Sequence, residues 1–150
     1  MSPEAQLDEC LARFSPEVEA QARAALGRLR ARVPGAVQLV YDNYNALAIA
    51  FGANEKLSGV VFSIAVYPRW VSLFFARGPG LPDPLGLLQG SGTTVRHIVL
   101  TQIELFDAPG VEALIAAGLA QATPPIDPTR PSRLIIKSIS ARQRPRRPGG

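Results

Sequence analysis

The chain has 150 residues, 47% of them hydrophobic and 19% charged, a balance that fits one globular domain and excludes a disordered chain. One cysteine, Cys10, and one histidine, His97, exclude an internal disulfide and any cysteine- or histidine-rich metal cluster within the chain. The net charge of +4 hides two unlike parts: residues 1–129 hold nine basic and twelve acidic residues, whereas residues 130–150 hold seven basic residues and no acid.

In chain order, Ser2-Pro3-Glu4 supplies a cap, a first-turn proline and a first-turn acid, which predicts a helix start. Leu7, Cys10, Leu11 and Phe14 follow at helical spacing, and Cys10 reads as a small buried hydrophobe in that stripe. Ser15-Pro16-Glu17 repeats the signal. Val18, Ala22, Ala25, Leu26, Leu29 and Val33 form the apolar face of a second helix, which Pro34-Gly35 ends. Its acids lead and its arginines trail, as the helix dipole favours.

From Val37 the period becomes two. Strands are expected over 37–41, 46–51, 60–67, 70–77 and 93–100, a helix over 109–122, and a late strand over 134–139. A symmetric turn at Pro68-Arg69 sets Val66 opposite Val71, Ile64 opposite Leu73 and Phe62 opposite Phe75, all on one bulky face. The other face is small in the middle, with Ala65, Ser72 and Ser63, and carries Tyr67 and Trp70 at one end. That face suits a shallow binding surface, a homodimer contact, or the seat of the 134–139 segment. The loop 78–92 is long, and its four leucines predict that it packs down. Hairpins without βαβ alternation imply an α+β fold, a largely antiparallel sheet of about five strands with helices on one face. The expected organisation is one domain over 1–129 and a basic segment over 130–150, a late strand followed by an Arg/Pro-rich arm that its prolines keep extended and exposed. No run approaches the roughly 20 apolar residues of a membrane span. Residues 1–9 lack the basic start and apolar core of a secretory signal, so a cytoplasmic location without a membrane partner is expected.

Four groups of residues are candidates for function. Tyr41, Asp42, Asn43, Tyr44, Trp70, Arg96 and His97 mix aromatic surface with hydrogen-bonding groups, as sites for a small molecule or protein partner do. Gly90, Ser91, Gly92 and Thr93 form a turn whose backbone N–H groups can converge on an anion, although it leads into a strand rather than the helix of a phosphate-binding loop. Glu4, Asp8 and Glu9 share a helix face and offer carboxylate oxygens to a metal, or simply a solvated face beside the helix N-terminus. Arg142, Arg144, Arg146 and Arg147 offer a handle to an anionic partner such as nucleic acid, or fold back onto the acidic body. A triad of Ser63, His97 and Asp42 has no support from spacing, and no Gly-x-Ser-x-Gly motif is present, so a non-enzymatic role is expected.

Taken together, Ser15-Pro16-Glu17-Val18, Tyr41-Asp42-Asn43-Tyr44-Asn45-Ala46-Leu47 and Tyr67-Pro68-Arg69-Trp70-Val71 form an ordered set of motifs. Leu87-Leu88-Gln89-Gly90-Ser91-Gly92, Val95-Arg96-His97-Ile98 and Gln143-Arg144-Pro145-Arg146-Arg147 extend it. The set resembles the YdhG-like family of small bacterial domains over most of residues 12–121. The resemblance implies an antiparallel sheet covered by helices. Because some members are described as frataxin-like iron chaperones, it also implies iron as a cargo. The chain departs from the family at Tyr41-Asp42-Asn43-Tyr44, where many members have Tyr-Gly-x-Pro, and at Thr93, where a lysine is common.

Overall fold

In the computed structural model, which describes residues 1–149, both N-terminal helices begin at the caps read from sequence. Helix α1 spans Pro3–Ala12, and the Ser2 hydroxyl accepts from the Ala5 N–H at 3.1 Å. Helix α2 spans Pro16–Arg32, with Ser15 accepting from the Val18 N–H at 3.4 Å. Each serine satisfies an N–H that the first turn leaves without a partner.

Six strands follow: β1 (Val37–Asp42), β2 (Leu47–Gly52), β3 (Val60–Val66), β4 (Val71–Phe75), β5 (Arg96–Val99) and β6 (Arg133–Ile139). Helix α3, Pro109–Gln121, lies between the last two. The sheet order is β5-β4-β3-β2-β1-β6, antiparallel throughout except for the parallel pair of β1 and β6. The fold is therefore α+β, as its hairpins imply, and the sheet has six strands rather than about five because the late strand joins its edge.

The parity of the central hairpin holds. Phe62 faces Phe75, Ile64 faces Leu73 and Val66 faces Val71. The rings of Phe62 and Phe75 meet edge to face at 5.6 Å. With Val40, Leu47, Ile49, Phe51 and Ile98 they form the sheet's half of the core, and the apolar stripes of α1, α2 and α3 supply the other half. Each large side chain so buried contributes about 1.5–3 kcal/mol. Gly118 of α3 admits the ring of Phe62: a Cβ there would stand 2.8 Å from the ring edge.

Among the described residues, the helices pack on that core face and none covers the opposite one. Leu39, Ala50, Ala65 and Ser72 form its flat, buried middle, and Tyr41, Phe74, His97 and Val99 are half-buried around them. The 134–139 segment does not cover this face, contrary to one of the expectations. It lies in the plane of the sheet as β6, where pairing satisfies the backbone edge of β1. The 78–92 loop is tied down by Asp83, whose carboxylate accepts from the Leu87 and Leu88 N–H groups at 2.8 and 2.9 Å. The strand expected over 93–100 is reduced to β5, because residues 93–95 turn back towards Gly78.

Candidate functional site

Asp42 is the only acid in the six strands, and its position in β1 is unusual. It pairs with Leu47, so alternation turns its carboxylate towards the helices, where it is 2% exposed. A carboxylate in that position needs a cation and hydrogen bonds. Arg146, from the C-terminal arm, supplies them. Its Nη2 donates to Asp42 Oδ1 at 2.8 Å and to the Asn43 carbonyl, and its Nη1 donates to the Tyr44 carbonyl at 3.2 Å. The guanidinium also lies over the Phe14 ring, 5.7 Å from its centre. Arg13 stands 3.6 Å from the other Asp42 oxygen, to which the Cys10 thiol donates at 3.5 Å. Burial pushes that thiol up to about 11, and the adjacent Asp42 carboxylate adds to the rise.

The arm is fastened at further points. The Arg144 N–H donates to the Tyr44 carbonyl at 3.0 Å, and the Gln143 side chain donates to the Asp42 carbonyl at 3.1 Å. Arg147 donates to the carbonyls of Arg13 and Ala12 at 3.1 and 3.4 Å, where the end of α1 leaves acceptors open. The expectation of an exposed arm therefore fails at Arg146, which is buried because it neutralises Asp42. Arg142, Arg144 and Arg147 remain at the surface.

The fastened arm runs beside the turn that joins β3 to β4. The Tyr67 N–H donates to the Trp70 carbonyl at 2.9 Å, and the two rings stack at 4.4 Å and 15°. Pro68, Arg69 and Trp70 on one side and Arg144, Pro145, Arg147, Pro148 and Gly149 on the other enclose a cleft of about 270 Å³. Its walls hold three arginines and an indole that is 41% exposed, and no acid among the described residues. Arg69 and Arg144 have no carboxylate partner among the described residues.

The seven-residue group drawn from sequence does not converge as a whole. Tyr41, Asp42, Asn43, Tyr44 and Trp70 belong to the end of the sheet where β1 leaves and the β3–β4 turn lies. Arg96 pairs with Phe75, at the far end of that hairpin. His97 stacks on Phe74 at 5.1 Å. Ser63 and His97 both flank Phe74, which puts them two strand spacings, about 10 Å, apart. Asp42 is turned to the opposite face, so the paper triad is not assembled.

The Gly90, Ser91, Gly92, Thr93 turn is exposed, and Arg96 donates into it, to the carbonyls of Gly92 and Val95. The turn thus presents carbonyl acceptors to its own arginine. On α1, Glu4 is paired with Arg30 at 2.7 Å and Asp8 with Arg23 at 2.8 Å, and Glu9 is exposed. The acids of α1 thus neutralise the arginine face of α2. No group of three or more His, Cys, Asp or Glu side chains stands together among the described residues.

Sequence reasoning missed Phe14, Arg13 and Gln143 as supports of the arm, and Arg69 and Pro145 as walls of the cleft. The available signal was Asp42 itself, an acid at a core-facing strand position that had to find a cation elsewhere in the chain. No helix is long and apolar enough to cross a membrane among the described residues. No family model, curated protein or solved structure matches the chain. The YdhG-like resemblance therefore rests on the motifs alone.

Proposed function

We propose that the protein is a non-enzymatic binding module, of the YdhG-like kind that its motifs resemble, which receives an anionic partner between the β3–β4 turn and the C-terminal arm. The observation that carries this reading is the cleft walled by Arg69, Arg144 and Arg147. Guanidinium groups gathered without a carboxylate repel one another, and an anion relieves that repulsion. The Asp42–Arg146 pair serves the cleft from behind: it holds the arm in place and does not itself meet the partner.

Titration calorimetry with inorganic pyrophosphate tests the reading. Binding is expected to weaken with added salt and to be lost in an Arg69→Ala/Arg144→Ala variant. An Arg130→Ala/Arg133→Ala variant serves as the control, because those arginines belong to the same basic segment but pair with Asp127 and Glu55. Equal loss in both variants, or no binding by the native chain, overturns the proposal. Iron handling, implied by the resemblance, gains no support from α1, whose Glu4 and Asp8 are already paired with arginines.

A further inference from the structure

We infer that the ligand of this cleft is a nucleotide, its phosphate held by the arginines and its base stacked on Trp70. The inference rests on the anion reading above and goes further, because the cleft contains more than charge. One face of the Trp70 indole is covered by the Tyr67 ring, and the side chain still lines the cleft with 41% of its surface exposed. An exposed indole held flat by a stacked neighbour is a preformed platform for a second planar ring, and every nucleobase has such a face.

The three arginines come from both walls of the cleft. Arg69 adjoins Trp70 in the turn, while Arg144 and Arg147 come from the arm. Arg147 uses Nε and Nη2 on the carbonyls at the end of α1, which fixes the direction of its guanidinium and leaves Nη1 without a hydrogen bond among the described residues. Arg144 is placed through its backbone bond to Tyr44. The forked donors of arginine match the oxygens of a phosphate. Pro68, Pro145 and Pro148 complete the walls with rings of fixed φ, so closing around a ligand costs little chain entropy.

Size narrows the ligand. A cleft of about 270 Å³ lies just below the usual range of ligand sites, which favours a single nucleotide over a longer stacked segment. The stack requires an unpaired base, which excludes duplex. Two sources share this chemistry: a free nucleoside monophosphate, and one unit of a single-stranded nucleic acid.

Trp70 is the only tryptophan of the chain, so its emission reports on this site directly. The full chain is titrated with adenosine monophosphate, with a short oligothymidylate and with inorganic phosphate as the base-free control, and affinities are measured in parallel by calorimetry. Quenching of Trp70 by the first two, with tighter binding than phosphate, is expected. Trp70→Ala is expected to weaken nucleotide binding about tenfold or more and to erase its advantage over phosphate, and Trp70→Phe to restore most of the loss. Arg69→Ala, at an exposed position of the turn, lowers affinity for all three ligands.

An oligothymidylate that binds more tightly than the monophosphate, with a steeper salt dependence, identifies the single strand as the source. Equal or tighter binding of the monophosphate identifies the free nucleotide. Adenosine monophosphate and phosphate binding alike, with unchanged emission, overturns the nucleotide inference and leaves the anion reading standing. Failure of every anion to bind overturns both.

Discussion

Replacing Arg146 by alanine removes the cation from a pair in which both side chains are 2% exposed. Asp42 then keeps a buried carboxylate with two lesser partners, Arg13 at 3.6 Å and the Cys10 thiol at 3.5 Å. The carbonyls of Asn43 and Tyr44 lose a donor, and Phe14 loses the guanidinium over its ring. Breaking a buried pair from one side costs about 3–5 kcal/mol, and the remaining Arg13 brings the expectation to the lower end, about 3 kcal/mol. For a chain of this size that is a fall of about 6–12 °C in Tm. Urea unfolding followed by far-ultraviolet circular dichroism measures it, with the slope m showing whether the unfolded state has changed. A double variant, Asp42→Leu with Arg146→Met, removes both charges and is expected to recover most of the loss, because an apolar pair needs no neutralisation. If Arg146→Ala costs less than about 1 kcal/mol at unchanged m, the pair behaves like one at the surface and the argument from burial is refuted.

The Cys10 thiol, raised from an ordinary 9.0 to about 11, is favoured in its protonated form by the fold. Its contribution to stability is complete below pH 9 and is lost as pH rises towards 11. At pH 9 a disulfide reagent is expected to react about fiftyfold more slowly with the folded chain than with the chain in urea, and equal rates would contradict this. Gly118→Ala forces a methyl to within 2.8 Å of the buried Phe62 ring and is expected to lose about 1–2 kcal/mol despite the better helix former. Gly27→Ala, with open space around it in α2, is expected to gain about 0.5–1 kcal/mol; thermal unfolding of the two variants checks both signs. Deleting residues 133–149 bares the edge of β1 and is expected to produce association visible by light scattering, whereas deleting 141–149 leaves β6 paired and the chain monodisperse.

Local chemistry wrote the caps, the stripes and the hairpin plainly. Ser2, Ser15 and the Pro68-Arg69 turn each act within four residues, and the two-residue alternation carried the facing of Phe62 and Phe75 across the sheet. The failures were of longer range. An Arg/Pro-rich arm looks solvated when read by itself, and only the burial of Asp42, more than a hundred positions earlier, gives Arg146 a reason to leave water. Glu4 and Asp8 of α1 look like free carboxylates for a similar reason, since their arginine partners stand on the neighbouring helix. Residue type groups Arg96 and His97 with Trp70, whereas the antiparallel return of β4 carries them away from it.

The parallel union of β1 and β6 also governs how the polypeptide can assemble. Val37 pairs with Arg133, so the first strand made must wait for nearly the last. During synthesis on the ribosome, the β2–β5 meander and its helices have their neighbours in hand while the outer margin of β1 still lacks one. Closure of that long loop carries a large entropic cost. A nascent chain stalled before residue 133 would therefore offer an unsatisfied ribbon to chaperones, and release of the remaining segment would seal it.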